Sequence, residues 1–247
     1  MYRLGLVSIS FRNHSPEEII LAAKQAGLEC VEWGSDVHAP CNDSAKLNSI
    51  VALQNEHGVY CSSYGTYFRL GATPAEELPQ YISAAKTLGT DILRLWCGDK
   101  GSAEYTNEEK ELLFAECKRA AEIAERNNVT LCMECHNHTF TDEMQAAVEL
   151  VEAVNSPAFR TYWQPNQFKS TEQNMNYAKR ISEYARHIHV FNWSGDERYP
   201  LEESVELWQK YLDYFKGERT LLLEFMPDDD MNSLTREADA LKKIAGK

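Results

Sequence analysis

The sequence predicts a single (β/α)8 barrel over residues 1–247, an α/β fold, and three observations carry that prediction. The length of 247 residues suits one large domain of this kind, which often runs near ~250 residues. Short β-rich runs alternate with longer segments of helical period from one end of the chain to the other. No linker, low-complexity tract or block of like charge interrupts that rhythm to mark a second domain.

The first strand is expected at residues 4–10 (LGLVSIS), followed by a helix at 15–27. There Ser15 can cap the start, Pro16 suits the first position and Gly27 suits the stop. A strand at 28–34 leads into a helix around 44–58, and a strand at 59–65 into a helix within 74–89. The fourth strand, 90–98, precedes a long helix at 106–128. The second half repeats the pattern: strand 129–136 and helix 141–155, strand 159–166 and helix 171–185. Strand 187–193 then precedes helix 203–215, and strand 219–226 precedes a closing helix within 232–246. Strict alternation over this length fits a parallel sheet closed on itself. The rival, an open doubly wound sheet, usually carries a glycine-rich phosphate turn after its first strand, and SISFRNHS offers none.

Composition narrows the function classes. At 43% hydrophobic residues the chain can bury a substantial core. No apolar run approaches the ~20 residues needed to span a membrane, and the N-terminus reads as a strand rather than a signal peptide. The expected compartment is the cytoplasm. The seven cysteines are odd in number and scattered, with no CxxC pair, so buried free thiols in a reducing compartment explain them. A net charge of −13 without clustered Lys and Arg argues against nucleic acid. No P-loop, GxGxxG, serine elbow or HExxH is present. A homo-oligomer is compatible with the sequence, which does not specify one.

In such a barrel, polar residues at the carboxyl ends of strands face the active site. The fifth strand runs apolar to Glu134 and then gives Cys135, His136, Asn137 and His138. Alternation puts Glu134 and His136 on one face with Cys132 below, and Met133 and Cys135 on the other. The eighth ends a triple leucine with Glu224, a costly place for an unpaired carboxylate. Either glutamate could instead be a salt-bridge partner, and Arg94 on the fourth strand is a candidate. His189, flanked by Ile188 and Val190, should point into the barrel. Alone it would read as a satisfied core histidine. Together, Glu134, His189 and Glu224 make a mixed N/O ligand set suited to Mn2+, Mg2+, Co2+ or Zn2+.

These strand ends resemble the sugar phosphate isomerase/epimerase family, whose barrels are xylose isomerase-like, and the resemblance covers nearly the whole chain. In that family the fifth strand ends in a Glu, often within E-x-H, matched by Glu134 and His136. The seventh carries H-x-x-D with a metal-binding His, matched by His189 with Asn192 in place of the Asp. The eighth ends in a metal-binding Glu, matched by Glu224. The sixth usually supplies an Asp, where this chain has Gln164. The metal set implied is Glu134, Gln164, His189 and Glu224. A neutral Gln removes one negative charge, so affinity should fall and the Lewis acidity of a bound ion should rise. A weaker four-ligand site, a three-ligand site and no metal are all open at this point.

The resemblance implies proton transfer next to a carbonyl, through an enediolate, on a small-molecule sugar or polyol, with Glu134 and Glu224 as the acid/base pair. His38, Arg94, Trp96, His136, Trp163, Trp193 and Arg198 are the candidate substrate contacts. Each tryptophan could equally pack beneath the loops, and a loop arginine such as Arg198 is most often a solvated surface residue. The acidic run Asp228–Asp230 reads as a complement to the last helix dipole. A lyase or dehydratase on a keto-polyol shares the first step. A non-catalytic sugar-binding barrel with a degraded metal site is the alternative outside enzymes, and a DNA-repair endonuclease would need a multi-zinc cluster and a basic groove.

Overall fold

Side chains of period two line the inside of the protein and side chains of period 3.6 clothe the outside, which is the signature of a barrel wrapped in helices. The computed structural model describes residues 2–247. Eight parallel strands close on themselves: β1 (Tyr2–Val7), β2 (Cys30–Gly34), β3 (Tyr60–Leu70), β4 (Ile92–Cys97), β5 (Thr130–Met133), β6 (Phe159–Trp163), β7 (Ala185–Val190) and β10 (Arg219–Leu223), the last pairing with β1. A small antiparallel hairpin, β8 (Trp193–Ser194) with β9 (Glu197–Arg198), lies between β7 and β10 in the chain. Among the described residues the α-helices are α1 (Pro16–Gln25), α2 (Ser44–His57), α3 (Leu78–Leu88), α4 (Asn107–Asn127), α5 (Met144–Val154), α6 (Thr171–Ile181), α7 (Val205–Leu212) and α8 (Leu234–Ala245). None is long and apolar enough to cross a membrane.

The expected helix signals operate as read. Ser15 accepts from the Glu18 amide while Glu18 accepts from Ser15, a capping box that satisfies two free N–H groups, and Gly27 takes a left-handed φ of +73° just beyond the end of α1. The helices press Leu, Ile and Ala faces onto the sheet, as α8 does with Leu234, Ala238, Leu241 and Ile244. All seven cysteines are free and six are buried.

Two departures from the predicted elements shape the functional end. The third strand runs on through Leu70 rather than stopping at Gly65. A register shift after Gly65 lets it continue, with Phe68 and Leu70 buried and Arg69 and Leu70 pairing with Trp96 and Cys97. The seventh strand ends at Val190, and Trp193 moves into the hairpin, whose turn uses Gly195 at φ +59°.

Inside the barrel a small apolar plug contains Cys30, Ile92, Cys132, Tyr162 and Leu222. Two residues further along their strands come Glu32, Arg94, Glu134 and Glu224, and His189 follows His187 on β7 by the same step. A step of two keeps the same face and rises about 6.6 Å along a strand. One repeated spacing thus lays a charged layer on an apolar one, at the carboxyl ends of the strands.

Candidate active site

The charged layer contains three carboxylates, one guanidinium and one imidazole, all nearly out of solvent. Glu32 and His189 are 0% exposed, Arg94 2%, Glu134 3% and Glu224 7%. Arg94 bridges two glutamates: its Nε donates to Glu32 Oε1 at 3.0 Å and an NH2 group (Nη1) to Glu134 Oε2 at 2.5 Å. Trp96 Nε1 also donates to Glu134 Oε2, at 2.7 Å. The second Glu32 oxygen accepts from Ser63 Oγ at 2.8 Å. One arginine cannot neutralise three carboxylates, so negative charge is left over in a region where charge is expensive.

That excess gathers around His189 Nδ1. Gln164 Oε1 lies 2.9 Å from it, Glu224 Oε2 3.4 Å and Glu134 Oε1 3.6 Å. Gln164 is turned this way because its Nε2 donates to the Cys135 carbonyl at 3.3 Å. On the other side of the ring, Nε2 makes no hydrogen bond and faces Glu32 Oε1 at 3.6 Å. Burial alone would lower the His189 pKa, but the Glu224 charge and the contacts to Glu134, Glu224 and Glu32 raise it well above 6.5. Burial likewise works against ionised Glu32, yet His189 and Arg94 hold that carboxyl down at about 2. Glu134 is held well below the usual range, burial being outweighed by the Arg94 charge and by His189. The site is therefore built for anions around a positive charge.

Those residues fit a divalent cation. One donor atom each from Glu134, His189 and Glu224 lies within 4.8 Å of the others, a spacing that an ion at their centre can satisfy. Nδ1 is ringed by oxygens, and a single proton there cannot serve all three.

Above this floor opens a cavity of about 320 Å3. Of the residues singled out from the sequence, Arg94, Trp96, Glu134, His136, Gln164, Trp193 and Glu224 line it. The Trp96 and His136 rings are tilted by 39° with centroids 5.2 Å apart, and Trp193 and Phe225 form a second aromatic wall with centroids 5.7 Å apart. Arg94 is at the floor with its charge committed to two glutamates, the ion-pair role weighed from sequence.

Three expected contacts sit elsewhere. His38 is 1% exposed and spends both ring nitrogens at 3.1 Å on Ser8 Oγ and the His14 carbonyl, so it ties loops together away from the cavity. Trp163 points to the helix side of β6, packed on Trp208, Tyr211 and Phe215. Arg198 lies behind the aromatic wall, its guanidinium 5.0 Å from the Trp193 ring and paired with Asp229. Asn192 serves its loop, donating to the Pro200 carbonyl at 2.9 Å. Sequence reasoning missed Glu32, Arg12 and Tyr67. Arg12 pairs with Asp36 and Tyr67 Oη at the cavity rim, and Tyr67 arrives there on the unforeseen extension of β3. The signal for Glu32 was available: a charged residue between Val31 and Trp33 repeats the spacing that picked out Glu134.

The closed eight-stranded barrel with a polar cluster at the carboxyl ends of its strands places the chain among the TIM barrels. It belongs to the xylose isomerase-like TIM barrel family, whose model matches residues 20–203. A curated relative, 3-dehydroshikimate dehydratase of Bacillus anthracis, is 27% identical over 166 residues, 63% of this chain; the match spans 59% of that relative. Among solved structures, the probable 3-DHS dehydratase AsbF involved in petrobactin synthesis from Bacillus anthracis superposes with a TM-score of 0.81 at 18% identity, covering 98% of this chain and 99% of the other. D-psicose 3-epimerase from Clostridium cellulolyticum H10 gives 0.72 at 13%, covering 99% and 98%. A xylose isomerase-like TIM barrel protein from Mycobacterium smegmatis, in complex with magnesium, gives 0.72 at 11%, covering 100% and 97%.

Proposed function

We propose that the protein is a divalent-metal-assisted isomerase or epimerase of a sugar or sugar-like hydroxy-ketone, acting by proton transfer next to the carbonyl. The observation that carries this reading is the convergence of Glu134, His189 and Glu224 donor atoms beneath a cavity sized for a small molecule. Those three residues, with Gln164 Oε1 beside them, would hold the ion. Bound there, it would polarise the carbonyl and stabilise the negative charge that develops as the proton leaves. The chain supplies the rest. Glu224 lines the cavity and can exchange a proton with substrate, while Glu134 keeps one oxygen locked to Arg94 and Trp96. Trp96 and Trp193 offer aromatic faces to the C–H surface of a sugar, and His136 and Asn137 offer polar atoms to its hydroxyls.

A dehydratase acting on a keto-polyol is the second reading, and the Bacillus anthracis relative named for that reaction favours it. Both readings start with proton abstraction next to a carbonyl, so the product separates them. Metal analysis of the purified protein should find one divalent ion per chain. Incubation in D2O with D-fructose, D-tagatose, L-ribulose and 3-dehydroshikimate should then place deuterium on one of the ketoses. An isomerase otherwise conserves mass, whereas loss of water from 3-dehydroshikimate transfers the assignment to the dehydratase. A metal-free protein that stays inert with added Mn2+ sinks both and leaves a sugar-binding barrel.

The same reading gives Gln164 a measurable role. Gln164→Glu adds a charge to the ligand set at the same side-chain length. Affinity for Mn2+ should rise roughly tenfold or more, because oxygen-rich sites are tuned by ligand charge. Turnover at saturating metal should fall as the ion becomes a weaker Lewis acid. A titration in which Mn2+ binds no more tightly than to the wild type would remove Gln164 from the ligand set.

A further inference from the structure

The proposed metal site accounts for one side of the His189 ring and leaves the other unexplained. Nε2 is completely buried, has no hydrogen bond, and faces a carboxylate oxygen 3.6 Å away. That carboxylate belongs to Glu32, which is 0% exposed, does not line the cavity and stands outside the group of three converging donors. Burying an ionised group there is costly unless it performs something an apolar residue could not. Its surroundings hold it with some precision. Ser63 Oγ donates to one oxygen and Arg94 Nε to the other, so the oxygen shared with Arg94 is also the one presented to His189. The backbone makes room for the pair at Gly65, where an added Cβ would come within 2.8 Å of Glu32 Oε1 and 2.9 Å of an Arg94 nitrogen. Gly65 does not have a left-handed φ, so close approach is what its missing side chain provides.

We propose that Glu32 is a positioning residue for the metal site: it accepts a hydrogen bond from the Nε2–H of His189, keeps the ring proton on that nitrogen, and thereby leaves the Nδ1 lone pair directed at the ion. This rests on the metal reading above. A ligating histidine whose second nitrogen donates to a carboxylate has its tautomer and ring angle fixed, and its ligating nitrogen becomes more basic. Arg94 completes the arrangement by binding Glu32 and Glu134 at once. The orientation of the histidine ligand is thus coupled to that of a glutamate ligand through one guanidinium.

The test compares the full-length wild type with Glu32→Gln, Glu32→Leu, Gly65→Ala and His189→Gln, using Mn2+ affinity and 15N NMR of labelled histidines in Zn2+-loaded protein. Zn2+-loaded wild type should show one histidine, absent from His189→Gln, protonated at Nε2 and not at Nδ1. Glu32→Leu should bind Mn2+ about 10- to 100-fold more weakly, as expected when the outer partner of a ligating histidine is removed. Glu32→Gln keeps an oxygen for the Nε2 proton and should recover most of that loss. Gly65→Ala, which leaves Glu32 chemically intact but crowds it, should lose affinity in the same direction. A merely structural Glu32 would lower thermal stability without changing the tautomer or the affinity of the folded variants. Zn2+-loaded wild type with its His189 proton on Nδ1 overturns the proposal even if Glu32→Leu does not fold. Wild-type affinity in Glu32→Leu and Gly65→Ala overturns it while leaving the metal site standing; a wild type that binds no divalent ion ends both.

Discussion

Replacing Arg94 by Met should lower the stability of the fold by about 3–5 kcal/mol, the usual cost of removing one partner of a buried ion pair. The side chain is 2% exposed and is the one guanidinium in contact with both Glu32 and Glu134, so Met leaves two buried carboxylates facing each other across an apolar thioether. For a chain of this size that corresponds to a drop in Tm on the order of 10 °C. Arg94→Lys should restore only part of it, because an ammonium is a point charge and cannot present two donors in a planar fork to two separate carboxylates. Mn2+ provides an internal check. A ligand that binds only the folded state stabilises it, and a cation entering a site that has lost its arginine relieves more repulsion. Thermal melts with and without Mn2+ should therefore show a larger metal-induced rise in Arg94→Met than in the wild type. A Met variant that melts within about 2 °C of the wild type would mean that Arg94 is dispensable to the charged layer.

Arg94 also illustrates what the sequence makes legible. Period-two alternation turns a residue inward or outward with little ambiguity, because it depends on the chain alone. Cys132 followed by Glu134, and Leu222 followed by Glu224, can be assigned to the barrel interior from the sequence, and the structure puts Cys132 and Leu222 in the interior cluster. Height is harder, since it depends on register between strands. Glu32 has the same spacing from Cys30, yet β2 meets β3 with a register shift at Val31–Glu32, and nothing local reveals that Glu32 ends 3.6 Å from His189. Arg94 could be named as a partner for one glutamate but not for two, because its bridging depends on that same register. Loops are harder still. His38 and Arg198 follow strand ends, as ligand-binding residues of a barrel do, but their side chains are claimed by Ser8, the His14 carbonyl and Asp229. Trp163 was misplaced for a different reason: it falls on the outward phase of β6, next to inward Tyr162, so alternation itself assigns it to the helix side.

Replacing Glu224 by Gln should reduce proton exchange into substrate by about 10^2- to 10^4-fold, the usual worth of a positioned acid or base. The two glutamates of the ligand set look alike in sequence but differ in what already holds them. Glu134 Oε2 accepts from Arg94 and Trp96, leaving only Oε1 to face His189 Nδ1. Among the described residues Glu224 receives no side-chain hydrogen bond beyond its 3.4 Å approach to His189, and it borders the cavity. A carboxylate with both lone pairs of one oxygen engaged is suited to hold position, and one free of such ties is suited to carry a proton. The two variants should therefore fail differently. Glu224→Gln should melt close to the wild type and, with Mn2+ raised to saturation, still exchange at less than a tenth of the wild-type rate. Glu134→Gln should lose stability as well as metal affinity, because Arg94 is left with Glu32 as its sole charged partner and the amide must turn a nitrogen toward either the arginine or the ligand position. Tm, Mn2+ titration and single-turnover deuterium wash-in on the same two proteins measure these differences. If Glu224→Gln keeps wild-type exchange at saturating metal while Glu134→Gln abolishes it in a protein of undiminished Tm, the roles are reversed and Arg94 must release Glu134 during turnover.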